Sequence, residues 1–219
     1  MQAPIEINTQ NNVDASVIWL HGLGADGHDF EPLVHALNLP SVRFILPNAP
    51  LRAVTVNHGY VMPAWYDIVS FDHPRMEDEA GIRASQLIVD QLIALEIKRG
   101  IAPNRIVIAG FSQGGAIALQ SALRYPQTLA GVLALSTYLP LSEKLANEAN
   151  THNLQTPILM AHGTADHVIP MAKAMTSRDI LLKTHPNLTW HEYMMAHSVS
   201  QPEIDDILVF IKKILHINY

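Results

Sequence analysis

The segment Arg105-Ile-Val-Ile-Ala-Gly-Phe-Ser-Gln-Gly-Gly115 decides the fold, because it holds a Gly-x-Ser-x-Gly pattern between two apolar stretches. The stretch before the pattern is a short apolar run, which is typical of a buried strand. Residues 114–125 are small or apolar nearly all round, which is typical of a buried helix. A serine at such a strand-to-helix turn is strained and exposes its hydroxyl group, while Gly110 and Gly114 leave room for the backbone. The segment therefore predicts that Ser112 is a nucleophile in an α/β fold.

The rest of the chain continues the alternation of short apolar runs and longer helical patterns. The predicted strands span 16–20, 42–46, 105–109, 130–135, 157–161 and 189–194, and the predicted helices span 29–37, 79–99, 114–125 and a last segment after a capping box at Ser200 and Glu203. Several strands are continuous apolar runs, as in strands covered on both faces. The pattern predicts a mainly parallel central sheet with helices on both faces. Segments 47–73 and 138–156 stay unassigned, and long loops of this kind are often functional.

The composition is that of a single globular domain over residues 1–219. Hydrophobic residues make up 48% of the chain and charged residues 16%, which is ordinary for a protein with one sizeable core. The net charge is −6 with histidine neutral, and no block of lysine and arginine occurs, so a nucleic-acid partner is not expected. The absence of cysteine excludes disulfides, zinc sites with cysteine ligands and a cysteine nucleophile.

The N-terminal sequence MQAPIEINTQNNVDAS carries no targeting pattern. It has neither a positively charged region nor an apolar run, so a signal peptide is not expected. The longest apolar runs of the chain are far shorter than the roughly 20 residues that span a bilayer. We therefore expect a cytoplasmic protein that does not insert stably into a membrane.

A serine nucleophile needs a base, and the base needs an orienting acid. In this fold the acid and then the base follow the serine along the chain, each on a loop after a strand. Asp166 is the acidic residue after Ser112 that follows a predicted strand within a few residues, and His197 lies between a predicted strand and the last helix. These three residues form the predicted triad. The alternatives are a turn or helix cap for Asp166 and a surface position for His197.

A second glycine-rich loop follows the first long predicted strand. The sequence Val17-Ile-Trp-Leu-His-Gly-Leu-Gly24 runs from an apolar strand into a His-Gly-x-Gly pattern. Glycine lets the main chain approach closely, so such a loop can offer N–H groups to an oxyanion. We expect the N–H groups of Leu23 and of Gln113, which follows the nucleophile, to form the oxyanion hole. The alternative is a turn that only ends the strand.

Segments along nearly the whole chain resemble the acyl-protein thioesterase and carboxylesterase (phospholipase/carboxylesterase) family of α/β hydrolases, and bacterial members in particular. The matching segments occur in the family's order and are His21-Gly-Leu-Gly-Ala-Asp-Gly-His-Asp-Phe30, Pro47-Asn-Ala-Pro50, Met62-Pro-Ala-Trp-Tyr-Asp67, Asp78-Glu-Ala-Gly-Ile82, Gly110-Phe-Ser-Gln-Gly-Gly115, His162-Gly-Thr-Ala-Asp-His-Val-Ile-Pro170 and His197-Ser198. One departure is visible, because Ala196 stands before the histidine where a glycine is common in the family.

The resemblance implies an α/β-hydrolase fold without a large lid domain, needing neither a metal nor a cofactor. It implies activity on carboxylic esters with short to medium acyl chains, and on acyl thioesters or lysophospholipids. It gives the triad and oxyanion roles to the same residues as above, and it implies that Met62 and Trp65 line the acyl site. The alternative for Trp65 is packing into the core or a dimer contact. Members of the family are often dimers, so a homodimer is expected.

Two other functions fit parts of the sequence. A metal-dependent hydrolase is one, because the chain has 12 histidines, but no His-Glu-x-x-His or similar ligand spacing occurs. Activity that survives EDTA would exclude it. A binding module that keeps the fold without catalysis is the other. Its site should have lost members of the triad, and labelling by a fluorophosphonate would exclude it.

Overall fold

A computed structural model describes residues 3–7, 13–70 and 77–217. Its strands are β1 Ile5–Ile7, β2 Ala15–Leu20, β3 Val42–Leu46, β4 Leu51–Val54, β5 Tyr60–Pro63, β6 Ile106–Phe111, β7 Gly131–Leu135, β8 Ile158–Gly163 and β9 Leu188–Tyr193. Seven of them form one sheet in the order β1-β3-β2-β6-β7-β8-β9. The sheet is parallel apart from β1, which pairs antiparallel with β3 at one edge. The mainly parallel sheet is therefore confirmed.

Helices cover both faces of this sheet. They are α1 Glu31–Leu37, α2 Glu79–Lys98, α3 Gln113–Ala122, α4 Leu145–Glu148, α5 Met171–Leu181 and α6 Gln201–Ile214, with short 3₁₀ turns between some of them. Helices α1 and α6 contribute to the apolar core on one face, and α2 and α3 contribute to the core on the other. Strands β2 and β7 are buried at every position because both of their faces are covered. None of the described helices is long and apolar enough to cross a bilayer.

The last helix begins where the sequence predicts it. Ser200 is the N-cap residue of α6, Glu203 completes the capping box, and a proline lies in the first turn. Ile207 and Ile211 are fully buried against the sheet. Because β9 ends at Tyr193 and α6 is anchored from its first turn, the loop that carries His197 is held at both ends.

The segment 47–73, which the sequence left unassigned, contains the hairpin of β4 and β5. The hairpin turns at His58 and Gly59, both with left-handed backbone (φ 55° and 78°). Its strands were not predicted because the hairpin lies outside the main sheet and exposes large apolar side chains. Its sequence therefore lacks the apolar pattern of a strand that is buried on one or both faces. Residues 71–73 of the segment lie outside the described residues. Strand β1 was missed for a related reason, since it is three residues long and only partly buried.

The parallel strands deliver the candidate site residues to one edge of the sheet. The carboxyl ends of neighbouring parallel strands meet at the same edge, where α/β proteins bind their ligands. His21 follows β2 and Ser112 follows β6, and these two strands are direct neighbours. Asp166 follows β8 and His197 follows β9, which are also direct neighbours. The fold therefore brings together residues that are up to 176 positions apart in the chain (197 − 21).

Candidate active site

Ser112 occupies the strained turn that the sequence predicts between β6 and α3. Its backbone has φ 55° and ψ −121°, in a region that residues with a side chain rarely adopt. The Ser112 N–H donates to the carbonyl of Leu135 (2.8 Å), and its carbonyl accepts from the Thr137 hydroxyl (2.6 Å). A Cβ atom at Gly114 would lie 2.3 Å from the Leu20 carbonyl oxygen. The turn therefore requires glycine at position 114, and it is held by bonds to the last residue of β7 and to the loop after it.

Three side chains form a continuous hydrogen-bonded chain at the edge of the sheet. His197 Nε2 lies 2.8 Å from Ser112 Oγ, and His197 Nδ1 lies 2.7 Å from Asp166 Oδ2. The second oxygen of Asp166 accepts from the N–H groups of Val168 (2.8 Å) and Ile169 (2.9 Å). Burial alone would raise the pKa of Asp166, but the bonds to His197 and the two N–H groups outweigh it and lower the pKa. An ionised Asp166 can only accept, so it directs the Nδ1–H of His197 towards itself and the Nε2 lone pair towards Ser112.

His162 is a second histidine beside Asp166 that sequence reasoning assigned no role. Its side chain is buried, with Nε2 at 2.8 Å from the Ile169 carbonyl oxygen and 3.4 Å from Asp166 Oδ2. Nε2 therefore carries a proton and donates to the Ile169 carbonyl. This bond ties the His162 ring to the loop whose N–H groups position Asp166. The available signal was its position directly after the predicted strand 157–161 and four residues before Asp166, where a buried polar side chain needs a partner.

The loop that follows β2 is fixed by His21, whose role sequence reasoning also missed. This buried histidine donates from Nδ1 to the Gly22 carbonyl (2.7 Å) and accepts at Nε2 from the Ala49 N–H (3.0 Å). Burial lowers its pKa despite the bond to Gly22, so the ring stays neutral and keeps both bonds. Gly24, with φ 75°, then turns the chain and donates to the Pro63 carbonyl at the end of β5.

The two residues whose N–H groups are expected to form an oxyanion hole line one cavity together with the nucleophile. Leu23, Ser112 and Gln113 all line it. Neither the Leu23 N–H nor the Gln113 N–H donates to any atom of the described part of the chain. The Gln113 side chain also has a structural task, because it accepts from the Trp65 N–H (2.7 Å) and donates to the Tyr66 carbonyl (2.7 Å). These bonds fasten the segment after β5 to the first turn of α3.

The expected acyl-site residues Met62 and Trp65 are not among the described residues that line the two cavities with Ser112. The Trp65 side chain is fully buried in the core, and its indole N–H donates to the His21 carbonyl (2.9 Å). Met62 lies in β5, where its sulfur accepts from the Asn57 amide (3.4 Å). Neither side chain is part of the lining of the cavity. This geometry favours the packing explanation for Trp65, because the indole is buried and its N–H group holds the loop that begins at His21 by a hydrogen bond.

Trp65→Ala should accordingly destabilise the whole fold. Removing a fully buried indole leaves a large void, and we expect the free energy of unfolding to fall by about 3–5 kcal/mol in urea denaturation. Tyr60→Ala is the matched control, because Tyr60 is 69% exposed on the hairpin and its loss should change stability by less than about 0.5 kcal/mol. A Trp65→Ala variant with the stability of the original protein would contradict the packing role.

Two cavities have Ser112 in their lining. The first has a volume of about 420 Å³ and is lined by Leu23, Tyr66, Ile68, Ser70, Ser112, Gln113, Tyr138, His167, Val168, Ile169, Pro170 and Lys173. The second has about 290 Å³, and its lining includes Ser112, His197 and Phe111. A groove of about 510 Å³ continues from His197 and Phe111 along α1 and the start of α6. Only the second cavity and the groove include His197 in their described lining.

The alanine before His197 causes no backbone strain. Ala196 is exposed and is not among the described residues with a left-handed backbone, so the conformation suits any residue type. The loop instead requires glycine at the end of β8, because a Cβ atom at Gly163 would lie 2.4 Å from the Ala196 carbonyl oxygen. The departure from the family pattern therefore leaves the His197 loop in place.

No group of three or more histidine, aspartate or glutamate side chains suited to a metal ion occurs within residues 3–7, 13–70 and 77–217. The cluster of His162, Asp166 and His197 is bonded internally and to Ser112. This arrangement can deprotonate the Ser112 hydroxyl, so that its oxygen attacks a carbonyl carbon. The N–H groups of Leu23 and Gln113 can then donate hydrogen bonds to the negatively charged carbonyl oxygen.

Comparison with known proteins gives the family. A model of the phospholipase/carboxylesterase family matches residues 3–215. An acyl-protein thioesterase 1 of Neurospora crassa is 44% identical over 90% of this chain and 85% of its own length, and one of Cryptococcus neoformans is 36% identical over 96% of this chain and 97% of its own. The crystal structure of SOBER1 from Arabidopsis thaliana superimposes with a TM-score of 0.86, at 31% identity, over 92% of this chain and 99% of that one. The chain is therefore a hydrolase that belongs to the phospholipase/carboxylesterase family of α/β hydrolases.

Proposed function

We propose that this protein cleaves carboxylic esters with short to medium acyl chains, and acyl thioesters, through an acyl-enzyme on Ser112. The observation that supports this most strongly is the unbroken chain of hydrogen bonds from Asp166 through His197 to Ser112. The names of the relatives add the thioester to the proposal, since two of them are acyl-protein thioesterases. Lysophospholipids remain a third candidate substrate.

In the proposed first step, His197 Nε2 takes the proton of Ser112 as Oγ attacks the carbonyl carbon. The negative charge that develops on the carbonyl oxygen is met by the free N–H groups of Leu23 and Gln113. The protonated His197 then gives its proton to the leaving alcohol or thiol, which departs and leaves an acyl group on Ser112. Asp166 stays ionised throughout and stabilises the positive charge on His197.

In the second step, a water molecule replaces the alcohol. His197 takes a proton from this water, which attacks the acyl carbon, and the same N–H groups receive the oxyanion. Ser112 leaves with the proton from His197, and the carboxylic acid is released. The cycle consists of two nucleophilic attacks, by Ser112 and then by water, with every proton passed through His197, so the proposal requires neither a metal nor a cofactor.

The two cavities suit the two halves of the substrate. The leaving group must lie beside His197, which protonates it, so the 290 Å³ cavity and the groove along α1 are assigned to the alcohol or thiol. The acyl chain then lies in the 420 Å³ cavity, whose lining includes the apolar residues Ile68, Val168 and Ile169. A homodimer and a cytoplasmic location stay predictions.

A chain-length series tests this proposal. For p-nitrophenyl esters from acetate upwards, kcat/KM should rise by at most about fourfold per methylene group until the cavity is full, because a buried methylene contributes about 0.8 kcal/mol. Matched acyl thioesters of one thiol should follow the same order, and EDTA should change neither series. A kcat/KM that does not depend on chain length, or activity lost with EDTA, would contradict the proposal.

A further inference from the structure

The cavity assigned to the acyl chain has a lining of mixed character. Besides apolar residues, the lining includes Tyr66, Tyr138 and Lys173, whose side chains carry hydroxyl groups and an ammonium group. A purely aliphatic chain leaves such polar groups without a partner when it fills the space. The composition of the lining therefore indicates that part of the ligand is polar.

Lys173 supplies the positive charge of this lining. It projects from the first turn of α5, and its Nζ lies 3.5 Å from the centre of the Tyr138 ring. No carboxylate of the described residues lies within ion-pair distance of Nζ. Burial lowers the pKa of Lys173, although the charge of the more distant Glu77 opposes this. The ammonium group has thus lost water without gaining a paired anion, which favours a negatively charged ligand group.

The two tyrosines add a hydrogen-bond donor at the same place. Their hydroxyl oxygens lie 2.8 Å apart, so one hydroxyl donates to the other and the second keeps its own proton to donate. Burial raises the pKa of Tyr138 to about 12, and it raises the pKa of Tyr66 well above its usual value, so both stay protonated at neutral pH. A carboxylate in this region would accept from the free hydroxyl and from Lys173 together.

The charge of the lining is one-sided. Among the described residues that line this cavity, Lys173 is the one lysine or arginine, and no aspartate or glutamate is present. We propose that the cavity selects acyl groups that end in a carboxylate, so that preferred substrates are monoesters or monothioesters of dicarboxylic acids. Lys173 and Tyr138 bind the far carboxylate while Ser112 attacks the carbonyl at the other end. This inference rests on the proposed function and specifies its substrate class.

A structural explanation for Lys173 has to be separated from this one. Glu77 accepts from the Leu141 N–H (3.0 Å) and lines a neighbouring cavity together with Lys173, so the lysine could serve only to balance that buried charge. Burial raises the pKa of Glu77, which reduces the charge to be balanced. If balance were the only role, replacing Lys173 would lower stability and act equally on all substrates.

The test compares pairs of substrates that differ only in the far charge. The probes are p-nitrophenyl monoesters of dicarboxylic acids from glutarate to sebacate, each paired with the same molecule capped as a methyl ester, with spontaneous hydrolysis subtracted. At the preferred length, the original protein should show a kcat/KM about tenfold higher or more for the carboxylate than for the capped partner, as expected for a hydrogen bond between charged groups. A ratio at or below one at every length would overturn the inference.

Variants of the protein then show which side chains cause the preference for the carboxylate over the capped ester. Lys173→Met keeps the aliphatic stem and should reduce the carboxylate-to-capped ratio about tenfold. Tyr138→Phe should lower it less. Lys183→Met, at an exposed position just beyond the end of α5, is the matched control and should leave the ratio unchanged.

The melting temperature of each variant separates the two possible roles of Lys173, which are binding the far carboxylate of the substrate and balancing the charge of Glu77. A Lys173→Met variant with an unchanged ratio and a lowered melting temperature would show that the lysine only balances Glu77, and would overturn the inference. If the original protein hydrolyses capped esters without preferring the carboxylate, this inference fails while the proposed function stands. If it hydrolyses no ester and no thioester, both fail.

Discussion

Ser112→Ala is expected to lower kcat for all esters by roughly three to six orders of magnitude while the protein stays folded. The change removes a single oxygen, which is the atom 2.8 Å from His197 Nε2 that forms the acyl-enzyme. The strained backbone at φ 55° is no worse for alanine than for serine, and it is held by bonds to the main chain. Initial rates with p-nitrophenyl butyrate, measured beside a thermal melt, check both parts of the expectation.

Ser41→Ala is the matched control for this experiment. Ser41 lies in the turn before β3, and nothing in the site depends on its hydroxyl, so this variant should keep the original rate. A Ser112→Ala protein that keeps a tenth of the original activity would refute the assignment of the nucleophile. A variant that is inactive because it is unfolded would be recognised by its melt.

Asp166→Asn is expected to lower kcat by about three to four orders of magnitude at neutral pH. The N–H groups of Val168 and Ile169 both point to one oxygen of the side chain, so the amide of an asparagine must place its own oxygen there. Its NH₂ group then faces His197 Nδ1 and forces that nitrogen to accept. The proton of the neutral ring moves to Nε2, which can no longer take the proton of Ser112.

The comparison for this variant is Asp179→Asn, which removes a carboxylate that is exposed on α5 and paired with Arg178. It should leave kcat within about twofold, because exposed ion pairs contribute little. The rate of Asp166→Asn should be measured together with its reaction with a fluorophosphonate. If this variant reacted and turned over as fast as the original protein, the role of Asp166 in orienting His197 would be wrong.

The parts of the fold that the sequence predicted are those whose signal is local. The continuous apolar runs of β2, β6, β7 and β8 indicate strands covered on both faces, and the capping box at Ser200 marks the start of α6. For the site, the order of the catalytic residues along the chain limited the candidates for the acid and the base. Once Ser112 is assigned to a strand-to-helix turn, few acidic residues and histidines stand directly after a strand.

The parts that escaped prediction depend on contacts between distant segments. The sequence around Trp65 fits a side chain that lines a pocket as well as one that is buried in the core. The contacts of Trp65 with His21 favour the core position. Lys173 lies in a helix of unremarkable pattern, and its nearness to Tyr138 follows from how α5 packs beside the loop after β7. His162 and His21 are buried polar residues whose partners are backbone groups, which no side-chain pattern reveals.

In the proposed cycle, Ser112 is an activated nucleophile that becomes covalently acylated during turnover. The most direct measurement is to label the folded protein with a fluorophosphonate, digest it with trypsin and locate the adduct by mass spectrometry. We expect one adduct per chain, on Ser112 within the tryptic peptide 106–124, with ester hydrolysis lost in proportion to labelling. An adduct on another residue, or undiminished hydrolysis by protein that remains unlabelled, would contradict it.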